Sequence, residues 1–248
     1  MTGLFYNLLI SLVLFGAGFA RAADYGHSLS NYQQKLRLAG EDMLENLEVS
    51  YVYGGSQIGD GKTCEDCNRC LEDNRPAPKE RFKVCKACLG CSLDCSHFVQ
   101  LVFARAGLTF PYLTSAQMLD LSQEALEKKY SLRPVGAAAI REIIPGDLLV
   151  YRGHVVIVEK VHGPDSGDII HATGGKDIKE PGQGIQRERF ARMSTFRGEL
   201  LRVVRHAKLD ALWHESKLGD QSIRASSSDA SRSRGRFKMR PVEKRRAD

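Results

Sequence analysis

The chain has 248 residues, 42% of them hydrophobic and 27% charged, with a formal net charge of +6. That length and apolar content exclude a wholly disordered chain and fit one globular domain with appendages. Nine lysines and arginines against three acidic residues from Arg224 onward account for the whole excess, so the body is near neutral and gives no ground for a specific nucleic-acid partner.

Leu8 to Phe19 is an apolar run of export-signal length, too short to span a bilayer comfortably, and Ala20-Arg21-Ala22 supplies a small-x-small cleavage pattern. Residues 1–22 therefore read as a signal peptide. Met1 to Asn7 holds no Lys or Arg, which leaves an uncleaved anchor as the alternative. The expected location is periplasmic or secreted, with no transmembrane span in the mature protein.

Residues 23–27 form a lead-in, and a helix is expected from Ser28 or Ser30, with Leu36, Gly40, Met43, Leu44 and Leu47 on its apolar face. Tyr51-Val52-Tyr53-Gly54-Gly55 follows as a short strand or extended turn that lets backbone approach a neighbour closely. Between Cys64 and Cys91 lie two C-x2-C-x2-C runs, Cys64, Cys67, Cys70 and Cys85, Cys88, Cys91, mirrored about a turn with Pro76 and Pro78. The symmetry suggests nested disulfides, Cys64 with Cys91, Cys67 with Cys88 and Cys70 with Cys85. C-x2-C is also zinc-ligand spacing, so the six cysteines as a metal site stay open beside it. Export favours disulfides. Both readings leave Cys95 as the odd thiol.

Asp94 is a good N-cap, and Phe98, Val99, Val102, Phe103 and Ala106 recur at helical spacing, which places Cys95 in a first turn. Unpaired N–H groups and partial positive charge there favour a thiolate. Gly107 stops this helix, Phe110 to Leu113 is an extended connection, and Thr114 or Ser115 caps a second helix to about Lys129. Four β-rich runs follow, at Leu148–Tyr151, His154–Val158, Asp168–His171 and Leu200–Val204. Helices first and strands after make an α+β domain with an antiparallel sheet. Residues 207–248 form a basic tail, disordered in composition beyond one amphipathic turn at Leu209, Leu212, Trp213 and Leu218. If functional, such a tail would make weak, salt-sensitive contact with polyanions.

A cysteine nucleophile needs a base, and the base needs a third group to orient it. His154 opens one strand and His171 closes another, each the polar residue of an apolar run. His162, His206 and His214 read as structural histidines.

Six segments in order resemble the NlpC/P60 family of cysteine peptidases. Asp94-Cys95-Ser96-His97-Phe98-Val99 is similar to its Asp-Cys-Ser-Gly-Phe-Val box, and Tyr51-Val52-Tyr53-Gly54-Gly55 to its upstream aromatic-Gly-Gly segment. Pro111 with Thr114-Ser115-Ala116-Gln117, Pro145-Gly146-Asp147-Leu148, His154-Val155 and Ile170-His171-Ala172 resemble its remaining boxes. The resemblance spans residues 51–206 apart from the insert, within an expected catalytic domain at 23–206 that holds the cysteine-rich insert at 56–93.

It implies a papain-like fold with helices packed on the sheet. Cys95 would be the nucleophile, His154 the general base and acid, His171 the orienter, and Tyr51 with the Cys95 N–H would stand beside the oxyanion. Ser96, Asp94 and Tyr53 are the expected substrate contacts. The implied reaction is amide hydrolysis without a cofactor on peptidoglycan or its peptides, at the bond between γ-D-glutamyl and a diamino acid. An N-acetylmuramoyl-L-alanine amidase on the same fold, a metal- or redox-binding protein built on the insert, and an inactive wall-binding domain are the alternatives. Two features depart from the family. His97 replaces glycine and could crowd the site, tune it or face solvent, and the long insert is expected to shape the substrate groove.

Overall fold

The computed structural model describes residues 30–136, 139–174 and 182–212. The expected signal peptide and lead-in, the basic tail beyond 212 and His214 lie outside the described residues. Chain order is α1 (Asn31–Asn46), β1 (Ser56–Gln57), α2 (Gly61–Asn74), α3 (Arg81–Val84), β2 (Ser92–Leu93), α4 (Cys95–Arg105), α5 (Ser115–Asp120) and α6 (Gln123–Tyr130). Then come β3 (Leu132–Val135), β4 (Leu148–Tyr151), β5 (His154–Gly163), β6 (Ser166–Ala172), β7 (Ile185–Arg192) and β8 (Arg202–His206).

Ser30 starts α1. Its hydroxyl accepts from the Gln33 N–H while the Gln33 side chain accepts from the Ser30 N–H, a reciprocal capping box. The helix buries Leu36, Ala39, Gly40 and Met43, the face that the spacing predicted.

Six strands form one antiparallel sheet in the order β3-β8-β4-β5-β6-β7. Val155 and Ile157 face the main core with Met43, Phe98, Val99 and Ile170. Val156 and Val158 face the other side with Leu149, Tyr151 and Ile169. Strand side chains alternate between faces, so an unbroken apolar run here means burial on both. The result is the expected α+β architecture.

The structure differs from expectation in the 114–129 segment and at two strands. That segment is two helices, α5 capped by Thr114 and α6 by Ser122, whose hydroxyl accepts from the Ala125 N–H. The chain turns at Leu121 because Ser122 takes up a cap conformation. Strands β3 and β7 were not expected. β3 carries Pro134 and is tolerated because it lies at the sheet edge. β7 is the other edge and largely polar. Its Arg187 donates to both carboxylate oxygens of Glu159, at 2.5 and 2.9 Å.

At the entry to β4, Asp147 receives two hydrogen bonds from Arg205 of β8, at 2.7 and 3.0 Å, and one from the Ile144 N–H. Both side chains are buried. The helical turn at 207–212 returns Leu209 to the core.

Cys64, Cys67 and Cys70 line one face of α2, because a spacing of three residues is close to a helical turn. They form disulfides with Cys91, Cys88 and Cys85 respectively, the nested pairing that symmetry suggested. The opposing arm is α3 and short 3-10 turns. With all six sulfurs joined in pairs, the zinc alternative has no thiolates left to serve as ligands. Among the described residues, no helix is long and apolar enough to cross a membrane.

Candidate active site

Asp94 caps α4: its Oδ1 accepts from the His97 N–H at 2.8 Å, and its Oδ2 from the Gly54 N–H at 3.2 Å. Cys95 is therefore the first residue of the helix, 4% exposed, and it is the free cysteine of the described residues. Its sulfur receives the backbone N–H groups of Val155 and Ser96 and lies 3.9 Å from Ser96 Oγ. The expected thiolate needs correction. Burial pushes the Cys95 thiol up, outweighing those donors, and the nearby Asp94 carboxylate adds to the rise. That environment favours the thiol over the thiolate in the resting site.

Helix α4 packs on β5 and β6, and Cys95 shares a core cluster with Val155 and Ala172, the neighbours of His154 and His171. His154 Nε2 and His171 Nδ1 are 2.8 Å apart, with the rings at 82°. This leaves His154 Nδ1 for other chemistry. Burial, with the positive charge of Arg197 behind it, lowers His154 to about 4. Burial, His154 and Arg197 together lower His171 to about 3. Both imidazoles are neutral at ordinary pH. Arg197 reaches this region through a 3.0 Å hydrogen bond to Thr173 Oγ1.

Tyr51 forms a parallel bridge with Leu93, and Asp94 N–H donates to the Gly55 carbonyl at 2.9 Å, so the Tyr51 and Cys95 segments are laced side by side. Any side chain at Gly55 would collide with the Ser92 backbone, and one at Gly174 with the Tyr51 ring. Burial raises the Tyr51 phenol well above its ordinary value, and Cys95 and Asp94 raise it further. It stays protonated, a donor. Tyr53 stands at the rim, 77% exposed.

Tyr112 enters the site although sequence reasoning did not place it there, and His97, noted as a departure from the family, makes defined contacts. Tyr112, from the connection before α5, hydrogen-bonds the Ser96 side chain and is pushed up to about 12, chiefly by burial. His97 stacks on Tyr112, with centroids 3.9 Å apart at 16°, and sets Nδ1 3.0 Å from Asp94 Oδ1. His97 is thus turned toward Asp94 and Tyr112 rather than to solvent. No periodic signal marks Tyr112, which is brought in by the turn after α4. His162 instead bonds Asp168 at 2.7 Å, and His206 Nδ1 accepts from the Lys208 N–H at 3.2 Å. Both are structural, as expected.

The cysteine, both histidines and all the tyrosines just described fall within residues 48–195, the stretch matched by the model of the NlpC/P60 family. A search of curated proteins returned no match. That stretch is more than half of the chain and contains the candidate catalytic residues, so the chain belongs to the NlpC/P60 family of cell-wall cysteine peptidases and hydrolases.

Proposed function

We propose that the protein is an exported cysteine peptidase hydrolysing amide bonds in peptidoglycan stem peptides, at the bond between γ-D-glutamyl and a diamino acid. The observation that carries this reading is the 2.8 Å His154–His171 hydrogen bond beside a sulfur that accepts the Val155 N–H. One ring nitrogen of His154 is held, and the other is left to exchange a proton with Cys95.

The resting pair is thiol and neutral imidazole, so proton transfer accompanies attack rather than preceding it. As Cys95 Sγ bonds to the scissile carbonyl carbon, its proton passes to His154 Nδ1 and negative charge develops on the carbonyl oxygen. The Tyr51 hydroxyl and the Cys95 N–H, free of an intrahelical partner at the helix start, are the donors for that charge. Collapse expels the amine, which takes the proton from His154, and leaves a thioester. His154 then activates water to release the acid. Three disulfides fit an oxidising compartment, which supports export.

Digestion of purified sacculi, with fragments weighed by mass spectrometry, tests the substrate. New free amines on the diamino acid support the endopeptidase; release of intact stem peptides from the sugar identifies the amidase instead. Cys95→Ala and His154→Ala are expected to abolish cleavage while remaining folded.

A further inference from the structure

The insert leaves the family-like chain just after Tyr51–Gly55 and returns just before Cys95, so its packing bears on both. Val52 shares a buried cluster with Cys67, Cys85 and Cys88, and the Phe82 ring lies 3.7 Å from where a Cβ at Gly54 would be. Between these contacts Arg81, the first residue of α3, donates from Nη1 to the Tyr51 carbonyl oxygen at 2.7 Å. The Cys85 N–H closes on the Arg81 carbonyl at 2.7 Å, and Cys85 is bonded to Cys70 of α2. A disulfide therefore anchors the turn that presents this guanidinium. Arg81 Nε is buried without a hydrogen-bond partner among the described residues. Burying that group is unfavourable for folding alone, which favours a role for the Nη1 contact.

We propose that Arg81 is a positioning residue for Tyr51: by holding the Tyr51 carbonyl it fixes the peptide plane, and hence the direction of the phenol toward Cys95. The inference rests on the reading of Tyr51 as an oxyanion donor. It gives the insert a part in the chemistry through a contact outside the boxes that resemble the family.

The test is a double-mutant cycle on muropeptide cleavage with Arg81→Ala, Arg81→Lys, Tyr51→Phe and the doubles, each checked for one free thiol and an unchanged melting profile. Arg81→Ala should lower kcat roughly tenfold with little change in KM. Arg81→Lys, which keeps one donor, should restore most of that loss. In the Tyr51→Phe background, Arg81→Ala should cost less than about twofold more. Equal losses in both backgrounds, or a Tyr51→Phe enzyme as fast as wild type, overturn the proposal. Should Arg81→Ala fail to fold, Arg81→Gln takes its place in the cycle.

If wild type cleaves no muropeptide, the substrate reading fails separately. Hydrogen exchange then decides the positioning. Faster exchange confined to amides 50–55 in Arg81→Ala supports it, and unchanged exchange there overturns it.

Discussion

His171 accepts or donates at Nδ1 to His154 Nε2 across 2.8 Å, while its own Nε2 is buried with no hydrogen-bond partner among the described residues. The proposed chemistry selects between the tautomers. His154 must offer a bare Nδ1 to the thiol, so its proton sits on Nε2 and His171 Nδ1 is the acceptor. The remaining His171 proton then lies on Nε2, an unsatisfied buried donor costing about 1–3 kcal/mol. Accordingly His171→Asn, which can place a carbonyl oxygen toward His154, should retain cleavage within roughly tenfold of wild type, whereas His171→Ala should lose about a hundredfold. Equal losses in the two variants would remove the acceptor role.

Acid should destabilise the fold through the same pair. Their folded values are lowered to about 4 and about 3 from an ordinary 6.5. Below pH 6.5 the unfolded chain therefore binds more protons than the folded one, and stability falls as pH drops toward those folded values. Each histidine contributes a slope of at most about 1.4 kcal/mol per pH unit in that window. Urea unfolding of wild type and His171→Gln between pH 7 and 4 isolates the contribution, because the carboxylates are common to both. Parallel stability curves would contradict it.

The buried thiol makes a kinetic prediction. If Cys95 rests as a thiol beside a neutral imidazole, alkylation by iodoacetamide should be slow at neutral pH and rise along a single limb at and above the usual thiol range. A thiolate–imidazolium pair would instead give a fast plateau across neutral pH. The rate profile of free enzyme, with Cys95→Ala as blank, distinguishes them.

Nested bridges should also show in a thiol count. Denatured unreduced protein is expected to titrate one thiol and reduced protein seven, matching the seven cysteines of the chain. The outer pair, Cys64–Cys91, closes 27 residues, and replacing both with serine should cost about 3 kcal/mol. Cys91 belongs to the same core cluster as Cys95, so the loss should also raise Cys95 alkylation at neutral pH. More than one thiol without reductant would contradict the pairing.

What the sequence made legible is what local physics determines. Asp94 before an apolar helical pattern located the Cys95 turn, two polar residues within apolar strands located His154 and His171, and mirrored cysteine spacing suggested the nesting. The helices of the insert were not read from the sequence, although Cys64, Cys67 and Cys70 fall on one face of α2. The helix start that favours a thiolate is a local feature, whereas the burial that pushes the Cys95 thiol up is tertiary and not visible in the sequence. Tyr112 and Arg81 escaped for the same reason. Arg81 reaches Tyr51 across thirty residues, and no periodicity marks either. β7 was missed because its exposed edge lacks a clear alternation.

The Pro-Gly-Asp-Leu box has a structural task that can be measured. Asp147 is fully buried, and burial pushes its carboxyl up while Arg205 opposes that shift. Removing either partner leaves the other charge without its bidentate contact in the core, so Asp147→Leu or Arg205→Met should each cost about 3–5 kcal/mol. Replacing both, as Asp147→Leu with Arg205→Met, removes the uncompensated charge and should recover a large part of that loss. The double variant also gives up the hydrogen bond from the Ile144 N–H and the Arg205 contacts with the Glu142 carbonyl and Asp210, so recovery should stop short of wild type by at least about 1–3 kcal/mol. Chemical denaturation of the four proteins gives the coupling. Single variants losing less than about 1 kcal/mol would mean that the pair behaves like an exposed ion pair and does not hold β4 to β8.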